Sequence, residues 1–432
     1  MKLTPKVALA LTLLWTTGCS GGSSNNSSPP VISTSGTSSP STSSSSSSSS
    51  VSSAASSASS IYADFNTSPK AADSTGVGST AMQLASKIKL GLNIGNTLEA
   101  TGGETAWGNP MITANFVQFA KQSGFNAIRL PVAWDQYANL QTAQISATWL
   151  QRVKDVVQYC VDNDLYVIVN IHWDGGWLEN HVLPESKSAV NSKQKAYWQQ
   201  IATSLRDFDE HVMFASANEP NVETAEQMSV LLSYHQTFID AVRATGGKNA
   251  YRVLIVQGPS TDVDKTNQLM TTMPVDTTPN RLMVEVHYYT PWNFTGMTKD
   301  ETWGNQFFYW GKDFHSSTDT AHNPTWGEEA TVDAKMALMK TQFVDKGIPV
   351  IIGEFGAMDR KTVTANAAIL NGAALDLHHA SRAYYFKYVT GKTLADGMVP
   401  FYWDTGSLLD RNLNSVIDQQ SLTALQEGTT AH

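Results

Sequence analysis

Eight short apolar runs recur along this chain, each followed by a stretch of helical periodicity. That alternation limits the folds open to the chain more than any other feature. The runs occupy residues 89–96, 127–132, 165–173, 211–220, 251–257, 282–289, 349–355 and 399–403. Several are Val- and Ile-rich, as strands buried on both faces are. Helices are predicted at 79–87, 113–123, 148–163, 193–208, 225–245, 265–273, 332–346, 365–386 and 415–425. Thr113 offers an N-cap and Gly124 a stop for the second of these. Leu150, Val153, Val156, Val157 and Cys160 share one face of the third. The pattern predicts an α/β fold, a (β/α)8 TIM barrel. A doubly wound open sheet is the alternative. It is disfavoured because 91–96 has neither the third glycine of a phosphate loop nor a helix behind it. One connection, 291–327, is long and rich in aromatic residues.

The barrel is expected to fill 61–432 as one domain. Residues 20–60 are mostly serine, which cannot bury enough apolar surface to order itself, so this stretch is expected to be a disordered linker. Ahead of it, Lys2 and Lys6 precede an apolar core at 7–15 that is too short to span a bilayer, and 1–19 read as an export signal. Gly18-Cys19 resembles a bacterial lipoprotein cleavage site, although Thr16 stands where that pattern prefers Leu. Cys19 is therefore expected to carry lipid, with simple cleavage as the alternative. The chain is placed outside the cell, as an outer-membrane or cell-surface lipoprotein or else secreted. With Cys19 lipidated, Cys160 has no disulfide partner and reads as a small buried hydrophobe. The net charge of -9 argues against nucleic acid or anionic lipid as partner. The chain is read as a monomer, touching membrane only through the anchor.

In a barrel of this kind, active groups stand at the C-terminal ends of strands. Here those ends carry Asn96, Arg129, His172 with Trp173, Asn218 with Glu219, His287 with Tyr289, Glu354 and Trp403. A carboxyl at the end of a core strand is costly without a partner or a task. Glu219 and Glu354 are two such carboxyls on nonadjacent strands, facing one another across the mouth. Alternation by twos puts Val350, Ile352 and Glu354 on one face. Asn218 and Glu219, being consecutive, both reach the site only if the strand bends or bulges at Pro220. Glu285 shares parity with His287 and Tyr289 and should point into the barrel, with no partner evident. Two facing carboxyls suit glycoside hydrolysis; the bland alternative is two unrelated salt bridges. A metal-dependent hydrolase would need clustered ligands that His172 and His287 lack, so no metal or cofactor is expected.

The ordered set Ile128-Arg129-Leu130-Pro131, Ile171-His172-Trp173, Asn218-Glu219-Pro220, His287-Tyr288-Tyr289 and Gly353-Glu354-Phe355-Gly356 resembles glycoside hydrolase family 5 from about residue 90 to 406. Residues 104–110 and 286–294 resemble its subfamily 4, which contains endoglucanases and xyloglucanases. The resemblance implies a retaining enzyme, with Glu219 as general acid/base and Glu354 as nucleophile, about 5–5.5 Å apart. The charge on Glu354 should then keep Glu219 protonated. It further implies that Arg129 and Tyr289 hold Glu354, and that Asn218 bonds the sugar 2-hydroxyl. His172 and His287 would serve sugar hydroxyls or the catalytic pair, and Trp403 would be a stacking platform. Asn96, Trp107, Trp173 and Trp292, with Trp177 and Trp303, are candidates for binding neighbouring sugars. The implied substrate is a β-1,4-glucan, xyloglucan and/or cellulose, with mixed-linkage glucan or mannan as alternatives. A noncatalytic carbohydrate-binding lipoprotein would keep the tryptophans but has no need of both glutamates.

Overall fold

The structure, a computed structural model, describes residues 61–430. The predicted signal, Cys19 and the serine-rich 20–60 lie outside the described residues. Eight parallel strands close into a barrel in chain order: β1 Gly91–Ile94, β2 Ala127–Leu130, β3 Tyr166–Asn170, β4 Val212–Ala215, β5 Leu254–Gln257, β6 Leu282–Tyr288, β7 Val350–Phe355 and β8 Val399–Asp404. Helices α1 Ala81–Ala85, α2 Ala114–Gln122, α3 Ala147–Asp162, α4 Lys187–Leu205, α5 Ala225–Ala244, α6 Val263–Leu269, α7 Glu329–Gln342, α8 Gly372–Ala395 and α9 Gln419–Gly428 accompany them. The expected (β/α)8 barrel is thus what forms. Among the described residues no helix is long and apolar enough to cross a membrane.

Alternating strand residues sort into two cores. Ala127, Ile168, Met213, Ile255, Met283, Ile351 and Phe401 fill the barrel floor, where Ala81, Leu84 and Ile88 of the α1 segment plug it from below. Thr80 starts that short helix with a capping box to Gln83. Gly91 leaves room for Phe401, because a Cβ there would lie 2.1 Å from its ring. The opposite strand faces, with Leu92, Val167, Phe214, Val284 and Val350 among them, pack on the helices together with Val153, Val156, Val157 and Cys160 of α3.

Strand β7 departs from simple alternation. Val350 and Ile352 lie in the outer core and Ile351 in the inner one, so the expectation that Val350, Ile352 and Glu354 share a face is wrong. The register explains it: Val286 pairs with Ile352, but His287 pairs with Glu354. Gly353 is an extra residue, a bulge that turns Glu354 back into the barrel. Helix ends also moved. α4 begins at Lys187 rather than 193, and α8 continues to Ala395, well past 386. The β-branched residues and Gly391 near the end of α8 hide its helical character. They are small because α9 approaches closely there: a Cβ on Gly428 would meet Thr390 at 2.7 Å. Residues 415–416 form a small antiparallel pair with 409–410, and α9 starts only at the Asp418 cap.

Candidate active site

Arg129 is the hub of the barrel mouth. It projects inward from β2 and is fully buried, so every donor needs a partner. Nη1 donates to Glu354 Oε1 at 2.8 Å and to Asn93 Oδ1 at 2.9 Å, and Nη2 donates to Asn218 Oδ1 at 2.8 Å. Nε lies 2.8 Å from Glu285 Oε1. Burial opposes the guanidinium charge, but Glu285 and then Glu354 more than offset it and hold its pKa above the ordinary value. Glu285 thus gains the partner that the sequence did not supply. It also accepts from Gln257 Nε2 at 2.6 Å. Burial works against its charge, yet Arg129 holds its carboxyl below the usual range. Asn93 and Gln257 were not singled out from the sequence, although a polar residue facing inward from an apolar strand was a usable signal.

Glu354 is held at both oxygens: Arg129 donates to Oε1, and Tyr289 Oη donates to Oε2 at 3.0 Å. His287 joins the acidic groups. Its Nδ1 is 2.7 Å from Glu219 Oε1 and 3.7 Å from Glu354 Oε2, and its Nε2 is 3.2 Å from Glu285 Oε1. Burial disfavours charge on this ring, but the carboxylates of Glu354, Glu219 and Glu285 prevail and push its pKa up to about 10. At neutral pH His287 is therefore an imidazolium donating from both nitrogens. One carboxylate oxygen each of Glu219 and Glu354 lies within 4.8 Å of the other. Burial pushes the Glu354 carboxyl up, and the Glu219 charge adds to this, against His287 and Arg129. Burial pushes Glu219 up as well, but the His287 hydrogen bond outweighs it and holds Glu219 low. The expectation that Glu354 keeps Glu219 protonated therefore changes. In the free site the proton resides on His287, one hydrogen bond away from Glu219.

Asn218 and Glu219 both reach the mouth without a bulge at Pro220. The β4 ladder has already ended at Ala215, so alternation no longer governs the two side chains. Thr261, also missed in the sequence, stands 3.5 Å from Glu219 Oε1 on a turn where Ser260 and Thr261 both adopt left-handed backbone. A cavity of about 220 Å³ opens beside Glu219, lined by Thr261, Asp262, Asp264, His287, Tyr289 and Lys335.

Trp403 and His172 stack on one another, their rings nearly parallel with centroids 5.8 Å apart. Gly95 makes room for the Trp403 ring, which a Cβ would approach to 2.7 Å. His172 Nδ1 pairs with Asn170 at 3.2 Å, and burial with the charges of Arg129 and His287 holds its pKa well below the ordinary value. It is a neutral ring. Asn96 occupies a left-handed turn position, with its N–H bonded to the Glu99 carboxyl. Trp107, Trp292 and Trp303 are exposed, as is Trp326, which was not anticipated. Trp173 is half-buried. Trp177 is committed to packing, edge-on to Tyr197 and under Lys193. Away from the mouth, Asp359, His378 and His379 cluster. Both ring nitrogens of His378 are taken there, by Phe308 O and the Arg360 N–H, so this group braces a loop.

Residues 93–426 match the cellulase family, glycosyl hydrolase family 5. The chain is 38% identical over 379 residues to the xyloglucan-specific endo-β-1,4-glucanase BoGH5A of Bacteroides ovatus, covering 83% of this chain and 72% of that protein. A Bacteroides ovatus family 5 xyloglucanase solved with a XXXG heptasaccharide superposes with a TM-score of 0.77 at 35% identity, covering 85% of this chain and 80% of that one. A GH5-4 broad specificity endoglucanase from Bacteroides salanitronis gives a TM-score of 0.71 at 32% identity, over 83% and 97%. By sequence and by fold, the chain belongs to glycosyl hydrolase family 5.

Proposed function

We propose that this chain is a retaining endo-β-1,4-glucanase that cleaves the backbone of xyloglucan, with Glu354 as nucleophile and Glu219 as general acid/base. The observation that carries the reading is the approach of the two carboxylates to within 4.8 Å. An inverting enzyme needs a gap of about 6.5–9.5 Å to seat water between its carboxyls. Here a Glu354 oxygen attacks the anomeric carbon, the glycosidic bond breaks, and the departing oxygen takes a proton from Glu219. Water then attacks the glycosyl–Glu354 ester, gives its proton to Glu219, and frees the Glu354 carboxylate.

Arg129 and Tyr289 hold Glu354 in line for attack. His287 supplies the proton that Glu219 spends, through the 2.7 Å bond between them. Asn218, fixed by Arg129, offers its amide to the sugar 2-hydroxyl. Trp403 gives the sugar an apolar face. Xyloglucan is favoured by the likeness to a relative and a solved structure named for it, and cellulose stands second through the match to the cellulase family. Exposed Trp107, Trp292, Trp303 and Trp326 supply further stacking surfaces for a long chain. Rates on xyloglucan, carboxymethylcellulose, mixed-linkage glucan and mannan, measured side by side, test the substrate. Glu354→Gln should abolish all of them while binding survives; full activity in that variant would refute the assignment. The export signal and Gly18-Cys19 support a placement outside the cell, with lipid on Cys19 and 20–60 as its tether, or else secretion. Fatty-acid labelling that is lost in Cys19→Ser tests that placement.

A further inference from the structure

The segment that carries Glu219 has left the sheet. The last ladder pairs of β4 are Asn170 with Ala215 and Ala215 with Ile255, so residues 217–219 hold their place by other means. A buried backbone N–H must find an acceptor, and here side chains provide them. Gln257 Oε1 accepts from the Ala217 N–H at 2.8 Å, and Glu179 Oε1 accepts from the Glu219 N–H at 2.6 Å.

Glu179 lies on a 3₁₀ turn, Glu179–His181, in the loop after β3, and is only 4% exposed. Its backbone carbonyl accepts from the Asn221 N–H at 3.0 Å, and Asn221 Nδ2 donates to the neighbouring Asn180 Oδ1 at 2.7 Å. The Asn218 side chain beside it partly offsets the burial of its carboxyl, and Asn218 Oδ1 is held by Arg129. One buried residue thus holds the Glu219 N–H through its side chain and the Asn221 N–H through its backbone, and no step described above uses it.

We propose that Glu179 is a positioning residue that sets the aim of the Glu219 carboxyl toward the departing sugar oxygen; this rests on the reading of Glu219 as the proton donor. The group does this as a neutral acid. Burial, and then the charges of Glu219 and Glu354, push its pKa up to about 8. Its carbonyl oxygen is the part that matters, and an amide of the same shape can replace it.

The test uses aryl β-cellobiosides that differ in leaving group. A 2,4-dinitrophenyl group departs without help, whereas a phenyl group needs a proton. Glu179→Ala should lower kcat/KM on the phenyl substrate by on the order of 100-fold, as misaligned proton donors do, and change kcat/KM on the dinitrophenyl substrate, which reports only the first step, by no more than about 3-fold. Glu179→Gln should stay near wild type on both. Glu219→Gln is the control: if it shows no leaving-group split, the reading of Glu219 itself falls. If Glu219→Gln shows the split and Glu179→Ala does not, or if Glu179→Ala loses both substrates equally, Glu179 is not a positioning residue. A Glu179→Gln enzyme as impaired as Glu179→Ala would also overturn the inference.

Discussion

Gly353→Ala perturbs the one backbone feature that brings Glu354 into the barrel. A Cβ at Gly353 would lie 2.1 Å from Glu285 Oε1, 2.7 Å from its Cδ and 2.8 Å from its Cγ. The whole Glu285 side chain is therefore in the way, not merely a flexible tip. Nor can it swing aside: Arg129 Nε at 2.8 Å, Gln257 Nε2 at 2.6 Å and His287 Nε2 at 3.2 Å surround it in a fully buried site. Either β7 shifts outward or the Arg129–Glu285 pair opens. Overpacking a filled interior costs about 1–3 kcal/mol, and breaking a buried ion pair about 3–5 kcal/mol. The first figure is the lower bound and the second the upper, since one relief spares the other. Either movement displaces Arg129 from Glu354, and a misplacement near 1 Å lowers turnover on the order of 100-fold. Gly356 three residues on is the internal control, because its Cβ would meet nothing closer than 3.8 Å. Denaturant unfolding and kcat on xyloglucan should separate the two alanine variants, with Gly356→Ala close to wild type. A Gly353→Ala enzyme with both stability and kcat unchanged would refute the bulge and the packing built on it.

Tyr289→Phe removes the 3.0 Å donor to Glu354; a hydrogen bond to a charged group contributes about 1.5–3 kcal/mol, so kcat should fall by about 10- to 100-fold with little change in melting temperature. Glu179→Gln should gain stability over wild type as pH rises. The native carboxyl, with a pKa near 8 against an ordinary 4.5, holds its proton while the unfolded one loses it. The melting-temperature difference should therefore widen from pH 4.5 to 8, and a constant difference would contradict the raised pKa. Trp303→Ala, at a residue 64% exposed, should raise KM for polymeric xyloglucan and leave turnover of an aryl cellobioside unchanged; steady-state kinetics on both substrates decide it.

The barrel was legible because burial on both faces leaves a strong mark: eight apolar runs separated by helices call for a parallel α/β sheet, and the missing phosphate loop favoured the closed form over the open one. Both glutamates stood out for the same reason, each an ionisable group closing a run that otherwise avoids polarity. What escaped depended on neighbours distant in the chain. The Gly353 bulge is a mismatch of register between β6 and β7, and one strand read alone shows only its own alternation. Arg129 was named for Glu354, but its grip on Glu285, Asn93 and Asn218 required three other strands to be placed first. His287 was expected near the sugars or the pair. Its charge follows from three carboxylates meeting around one ring, which no local pattern reveals. Glu179 lies in a loop and acts on a backbone N–H, so its sequence context resembles that of any other loop acid. The end of α8 was lost for the opposite reason: its small and β-branched residues answer to α9, not to helix propensity.

The stereochemistry of the first product tests the carboxylate geometry most directly. Proton NMR of an aryl cellobioside or xyloglucan oligosaccharide digest, recorded within the first turnovers and before mutarotation, reads the anomer released. With Glu219 and Glu354 oxygens within 4.8 Å, a covalent intermediate on Glu354 is expected, and the β-anomer should appear first. Initial release of the α-anomer would mean that water attacks directly, and the roles given to Glu354 and Glu219 would be wrong.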